Sequence, residues 1–348
     1  MSFEAVCEDQ PGPAWAALFA RFWPGYRAWY LRGARELPSY LECRRALREH
    51  MPELLPLWQR LSQLAGGGDV EARFLSMWCP PQYVVGCSQG VWISRGGVAV
   101  PVLLRNYDFA PALLEGTWLA TRWGGRRVVA MSDCVWGALD GINDAGLCAS
   151  LAFGGRTAWG RGFGVPVVMR YLLEVAETVP QAVAHLQRLP ASMSYNITLL
   201  DARGEHATVY IAPDRPTEVT REIAVTNFQR RIEWPEHAAA TAAEERQACL
   251  AQWLGCGATL PQAIAALLQP PLYQTQYQRG FGTLYSAAYR ARSRVAELFW
   301  PGQSWAQSAS AFSAGRRDLE LAEAPPTVDA AQLVAEAAMR STVTGARW

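Results

Sequence analysis

A glycine and a cysteine, Gly86-Cys87, stand near the head of a strand-like run, and the next run closes on Arg105-Asn106-Tyr107-Asp108. Farther along, Asn227 sits in IAVTNFQ. A thiol, a cation, a carboxylate and an amide are the tools of nucleophilic acyl chemistry, yet a base is missing. None of His50, His185, His206 or His237 lies in a local cysteine-protease signature. Cutting the Gly86–Cys87 bond would supply one, because Cys87 would then carry a free α-amine beside its own sulfur. An α-amine titrates near ~7.7–8.0 and a thiol near ~8.5, so moving the proton from sulfur to nitrogen costs about 1 kcal/mol. Gly86 suits self-cleavage, since a residue without Cβ leaves room for the sulfur to reach its own upstream carbonyl.

That chemistry needs three supports. Asp108 is expected to accept from the new amine, and Arg105, earlier in the same strand end, to hold that carboxylate and draw the thiol pKa down. Asn227 is expected to donate into an oxyanion hole, with a backbone N–H near Phe153 as the second donor. The bland readings are a buried structural thiol at Cys87, a strand-end ion pair at Arg105 and Asp108, and a helix cap at Asn227 for the FQRRIEW that follows. DGINDAG, from Asp140, reads as a turn in which Asn143 and Asp144 bond their own backbone, and neither is assigned chemistry. FGGRTAWGRGFG (153–164) lacks the Lys-Ser/Thr ending of a phosphate loop and reads as a substrate-side loop. Arg156 and Arg161 there could meet an anionic group such as coenzyme A.

The elements that must position these groups follow from pattern. Residues 12–78 read as helical: Ser39 and Glu42 have capping-box spacing, and Leu47, Met51, Leu54, Trp58 and Leu61 recur at helical intervals. Pro52 and Pro56 divide that helix, and Gly66-Gly67-Gly68 ends it. From Tyr83 the period changes. Segments 83–95 and 98–107, joined by Arg95-Gly96-Gly97, read as a hairpin, and 127–139 with 147–153 as another. Helices follow from Pro166 and from Thr178, the latter with Thr178 as cap. Strands are expected at 194–201, 206–212, 222–227, 283–290 and 294–300, helices at 242–255 and 259–268, and a polar, alanine-rich stretch after 303. Strands alternating with helix pairs fit an α+β sandwich of two antiparallel sheets with helices outside.

Composition bounds the function classes. The chain has 348 residues, 32 basic against 31 acidic side chains, a net charge of +1 and half its residues apolar. That implies a globular protein with a sizeable core and gives no reason to expect a nucleic acid or membrane partner. No secretory start and no apolar stretch of spanning length are present, so a cytoplasmic location is expected. The eight cysteines contain no CxxC pair and only four histidines accompany them, so no metal site is expected. The fifteen tryptophans, spread along the chain, read as packing residues.

Taken together, Gly86-Cys87-Ser88, Arg105-Asn106-Tyr107-Asp108, DGINDAGL, YNITLLD (195–201), VTNFQ (225–229) and TLYSAAY (283–289) resemble the cysteine N-terminal-nucleophile hydrolases. The pattern is most similar to the autoproteolytic family typified by acyl-CoA:6-aminopenicillanic acid (isopenicillin N) acyltransferase, and more distantly to bile salt hydrolases and penicillin V acylases. The resemblance implies a four-layer αββα fold. It implies a helical leader over 1–86, released by cleavage before Cys87, and a catalytic domain over 87–348, the two fragments associating with each other. It implies Cys87 as nucleophile and base, Asp108 as the amine's partner, Asn227 in the oxyanion hole and Arg279 near the substrate. The substrate would be a small amide or an acyl-CoA thioester, with no cofactor. Phe228 stands where the family often has histidine, and Arg105 matches the bile salt hydrolases better than the fungal acyltransferase, leaving hydrolysis and acyl transfer both open. The alternative from another class is a non-catalytic binding or scaffold protein that keeps its leader uncut.

Overall fold

The computed structural model describes residues 1–33, 37–94, 100–279 and 281–321. The turn expected at Arg95-Gly96-Gly97 and the alanine-rich tail beyond 321 lie outside these.

The chain opens on a strand, β1 (Ser2–Glu8), which no local pattern predicts. Helix α1 (Pro13–Gly33) follows. Ser39 and Glu42 form the expected capping box at the start of α2 (Tyr40–His50). The prolines divide the next stretch as expected: a 3-10 turn at Pro52–Leu54 precedes α3 (Leu55–Leu64). Gly66 and Gly67, at φ 101° and 73°, end α3 with backbone that disfavours other residues, and α4 (Asp69–Ser76) completes the N-terminal helices.

The strand region begins at β2 (Gly86–Trp92) and β3 (Val102–Phe109). After β4 (Thr117–Thr121), the run expected as one strand over 127–139 is two, β5 (Val128–Asp133) and β6 (Gly137–Asn143). Between them Cys134 and Val135 take left-handed φ of 53° and 63°, a turn invisible in residue types that ordinarily avoid it. Next come β7 (Cys148–Phe153), α5 (Val165–Val175) and α6 (Val179–Arg188). Thr178 occupies the cap position of α6, but its side chain makes no cap bond; Asp201 accepts from the Val179 N–H at 3.0 Å instead. The chain continues through β8 (Tyr195–Leu200), β9 (His206–Ala212), β10 (Arg215–Thr220) and β11 (Ala224–Val225). Helices α7 (Pro235–Ala240), α8 (Ala243–Gly255) and α9 (Leu260–Leu267) then precede β12 (Gly282–Arg290), β13 (Val295–Trp300), β14 (Gln303–Ser308) and β15 (Gly315–Asp318). The last two strands fall where composition predicts only a polar tail.

Two sheets result. One runs β10-β9-β8-β7-β6-β5-β4-β1-β15 and the other β11-β2-β3-β12-β13-β14. Helices α5 and α6 cover the first, α8 and α9 the second, and the two sheets face each other through β2, β3, β7 and β8. This is the αββα arrangement, with one departure from the antiparallel expectation: β1 pairs with β4 in parallel. The sheets also touch through polar groups. Gln89 donates to the Asn196 carbonyl at 2.9 Å and accepts from Ser150 Oγ at 2.7 Å.

The N-terminal segment before β2 is built into this frame. Strand β1 lies between β4 and β15, with Phe3 fully buried, and the amino group of Met1 donates to the Leu319 carbonyl at 2.7 Å. Two tryptophans fasten the helices by filling volume and satisfying their one donor. Trp15 Nε1 reaches the Val135 carbonyl at 3.0 Å, and Trp136 Nε1 reaches the Leu75 carbonyl at 3.0 Å. No helix among the described residues is long and apolar enough to cross a membrane.

Candidate active site

Strand pairing decides which side chains meet. In the β2–β3 ladder Gly86 lies opposite Asp108, Cys87 opposite Tyr107 and Gln89 opposite Arg105. Side chains alternate faces along a strand, and directly opposed residues share one. Cys87, Tyr107 and Arg105 therefore point between the sheets, while Asp108 points outward beneath the helices. Three residues apart on one strand, Arg105 and Asp108 cannot share a face, so the expected ion pair between them does not form.

Arg105 has a different partner. It forms a fully buried ion pair with Asp140 on β6, in the facing sheet, and Nη1 donates to the Leu139 carbonyl at 3.0 Å. Its Nη2 donates to Cys87 Sγ at 3.2 Å. Asp140 also accepts from Tyr285 Oη at 2.5 Å and from the Tyr289 hydroxyl. Burial opposes the charge on Arg105, but Asp140 and its neighbours outweigh it and hold the guanidinium more firmly protonated than usual.

The outward face has its own cation, Arg246 of α8. Its Nη1 donates to the Cys87 carbonyl at 2.7 Å, Ser88 Oγ at 2.9 Å and Asp108 Oδ2 at 3.1 Å, and its Nη2 to Asn227 Oδ1 at 2.7 Å. Nε reaches the Thr241 carbonyl at 2.6 Å. Asp108 is completed by Thr283 Oγ1, which donates at 2.6 Å. A bulge in β12 makes this possible: the register shift between Thr283 and Tyr285 puts Thr283 opposite Asp108 and Tyr285 opposite Tyr107, so one strand serves both faces. Burial raises the Asp108 pKa and lowers that of Arg246, each opposed by the other's charge.

Asn227 meets the backbone of Cys87. Its Oδ1 accepts from the Cys87 N–H at 2.9 Å, and its Nδ2 faces the carbonyls of Phe153 at 3.1 Å and Val85 at 3.4 Å. It caps no helix, because the next begins at Pro235. Two expectations change here. The atom bonded to the Cys87 nitrogen is Asn227 Oδ1, where Asp108 was expected, and Phe153 turns its carbonyl toward Asn227, where an N–H was expected. The Phe153 ring packs edge-on against His237 at 5.1 Å.

Burial pushes the Cys87 thiol up to about 11, with Arg105 the main opposing influence. Gly86 is tightly enclosed: a Cβ there would stand 2.4 Å from the Phe281 ring and 3.2 Å from the Asp108 Cβ. Other candidates fall away from this centre. Arg156 is taken by Asp214 in a bidentate pair at 2.7 and 2.8 Å and by Glu233 at 2.8 Å, and Arg161 pairs with Glu42 of α2 at 2.9 Å. Arg279 closes a 3-10 turn, Tyr277–Arg279, and its side chain lies outside the described residues. No group of metal ligands occurs among the described residues.

Sequence reasoning missed Arg246 and Asp140. The first had a signal: Arg246 shares a helix face with Leu250 and Trp253, and a charge on an apolar stripe demands a buried partner. Asp140 reads locally as part of a turn that begins only at Asn143, and nothing nearby marks it as the counter-ion of a residue on another sheet.

The sequence model of the family acyl-coenzyme A:6-aminopenicillanic acid acyl-transferase matches residues 94–305, more than half of the chain. No curated protein sequence matches. Among solved structures, a variant of conjugated bile acid hydrolase from Clostridium perfringens is 9% identical, with 67% of this chain and 97% of that one covered and a TM-score of 0.48. Penicillin V acylase from Agrobacterium tumefaciens is 15% identical over 67% of this chain and 86% of that one, TM-score 0.41. The Caenorhabditis elegans ortholog of N-acylethanolamine-hydrolyzing acid amidase is 14% identical over 59% of this chain and 93% of that one, TM-score 0.45.

Proposed function

Because the chain belongs to the acyl-coenzyme A:6-aminopenicillanic acid acyl-transferase family, we propose that it is a self-cleaving cysteine amidohydrolase or acyltransferase, with Cys87 as nucleophile. One observation carries this reading: both atoms of Cys87 that the chemistry uses have buried partners, the sulfur on Arg105 Nη2 at 3.2 Å and the nitrogen on Asn227 Oδ1 at 2.9 Å.

In self-cleavage, Cys87 Sγ adds to the Gly86 carbonyl carbon and the C–N bond breaks. The nitrogen departs as the Cys87 α-amine, carrying the thiol proton, and a thioester joins Gly86 to sulfur. Water splits that thioester, leaving a Gly86 carboxylate and a restored thiol. In turnover the amine accepts the thiol proton as sulfur attacks the carbonyl of a linear amide or acyl thioester, then passes it to the leaving group. Water or an amine removes the acyl group. Asn227 Oδ1, oriented by Arg246, holds the new amine, and Arg105 favours the thiolate. Asn227 Nδ2, already aimed at carbonyl oxygens, is the donor for the tetrahedral oxyanion.

The sequence contains no lysine, so all 32 basic residues are arginine and primary amines exist only at chain starts. An amine-directed label on denatured protein is therefore expected to mark one site in the intact chain and two after cleavage, the new one on Cys87. Intact mass should give fragments of 1–86 and 87–348 that co-elute under native conditions, because β1 is an inner strand. A single full-length mass with one labelled amine would overturn the reading. Trapping the acyl group on the Cys87 fragment from a mixture of amides and thioesters would identify the substrate class.

A further inference from the structure

Glu115, buried, and Asp133, half-buried, form a second polar cluster with the half-buried Tyr26 and Tyr83. The Tyr26 hydroxyl of α1 donates to Glu115 Oε1, lies 3.1 Å from Asp133 Oδ1, and accepts from the Cys134 N–H at 3.0 Å. Tyr83, in the extended linker just before the scissile bond, donates to Asp133 Oδ2 at 3.3 Å. Glu115 also accepts from the Val135 N–H at 2.7 Å and Ser132 Oγ at 2.9 Å. The left-handed turn at Cys134 and Val135 thus aims two successive N–H groups into the cluster, one at Tyr26 and one at Glu115. A single tyrosine proton cannot serve two carboxylates that both face it, so the arrangement closes only if the pair keeps a proton of its own.

Among the described residues nothing cationic relieves the pair. Around it stand Tyr26 of α1, Tyr83 of the linker, Tyr107 of β3, Tyr195 of β8 and Cys134 of the turn, and among the described residues neither carboxylate forms an ion pair. Burial, with the charge of Asp133, pushes Glu115 up to about 7, and burial pushes Asp133 up to about 6. Tyr107 and Tyr83 connect this cluster to the nucleophile: Tyr107 is the cross-strand partner of Cys87, and Tyr83 precedes it on the same segment. A cavity of about 250 Å³ lies against the cluster, walled by Phe22, Trp29, Tyr83 and Phe109.

We propose that the Glu115–Asp133 pair, gripping Tyr26 and Tyr83 through one shared proton, is a clasp that positions the linker before Gly86 for attack by Cys87. It rests on the self-cleavage proposed above. Protonation is favoured in the folded clasp, so its contribution is complete at acidic pH and fades as pH rises through about 6 to 7. Beyond that, two adjacent carboxylates repel and Tyr83 is released. Since a misplacement of about 1 Å can cost roughly 100-fold in rate, self-cleavage should slow at alkaline pH, where thiol ionisation alone would speed it.

The test follows cleavage of the full chain, made by cell-free translation and shifted to buffers from about pH 5.5 to 9, on denaturing gels. Wild-type cleavage is expected to fall about tenfold from pH 7 to 9, a size set by partial loss of positioning. Glu115→Gln, which cannot ionise, should lose that fall and slow less than about twofold over the same interval. Tyr83→Phe should be slower at every pH and likewise show no alkaline fall. Should Glu115→Gln fail to fold by circular dichroism, Asp133→Asn supplies the same readout. If wild type cleaves and the folded carboxyl variant keeps the alkaline fall, the clasp is overturned while self-cleavage stands. If wild type cleaves at no pH, both fall.

Discussion

Cys87→Ala remains a single 348-residue chain and turns over nothing: this is the expected result with the largest effect. Under the proposed mechanism the substitution removes the attacking atom of self-cleavage and, with the bond intact, never creates the amine that would serve as base, so one change abolishes both partners. Loss of a nucleophile that acts as a unit with its base costs about 10⁴-fold or more. Stability should hardly suffer, because alanine fills most of the buried thiol's space, and Arg105 keeps Asp140 and the Leu139 carbonyl. Cys87→Ser makes the comparison informative. A hydroxyl preserves the hydrogen bond from Arg105 but is a far weaker nucleophile at neutral pH, so slow cleavage over hours is expected where wild type is complete. Densitometry of the two fragments against time measures both variants. Complete processing of Cys87→Ala would remove Cys87 from the mechanism.

Arg246→Met carries the second large effect. One guanidinium bonds the Cys87 carbonyl, Ser88, Asp108 and Asn227, and ties them to α8. Methionine matches much of its volume and none of its donors, leaving the fully buried Asp108 without its cation. Breaking a buried pair by removing one partner costs about 3–5 kcal/mol. The folded-state pKa of Asp108, already raised by burial, should rise further, so the variant's deficit should shrink as pH falls and Asp108 becomes neutral. Adding Asp108→Asn should recover much of the stability, as the uncompensated charge is gone, while cleavage stays lost because Asn227 is no longer oriented. Thermal unfolding of the two single variants and the double variant forms the cycle. A double variant whose loss of stability equals the sum of the two single losses would mean that the two side chains do not depend on each other. Arg246→Lys should rescue charge without geometry, since an ammonium has three donors and no planar fork.

How much of the fold and the site is legible in the sequence depends on how local each signal is. Layer architecture follows from hydrophobic period, and the capping box at Ser39 comes straight from residue spacing. The types of group at the candidate site are also readable, because a Gly-Cys pair and an Asn-bearing strand are statements about neighbouring residues. Pairing across the fold is not. Sequence proximity suggests that Arg105 would serve Asp108, yet strand alternation separates them, and each finds its partner on a different layer: Asp140 on the facing sheet, Arg246 on the covering helix. The turn at Cys134 and Val135 escapes because it is imposed by the tertiary contacts of Tyr26 and Glu115, against the preference of a β-branched residue. Strand β1 escapes because its partners, β4 and β15, lie more than a hundred residues away.

That first strand limits how the gene can be divided. A coding sequence trimmed to start at Cys87 would yield a polypeptide whose large sheet lacks its penultimate member. The facing borders of β4 and β15 would each expose a row of unsatisfied amide and carbonyl groups, with the hydrophobic slot of Phe3 and Ala5 vacant between them. Such open borders recruit any available strand, so the shortened product is expected to clump instead of folding. If the chain is cut before Cys87 as proposed, residues 1–86 are expected to remain as part of the scaffold, and co-synthesis of both segments is the expected route to folded protein.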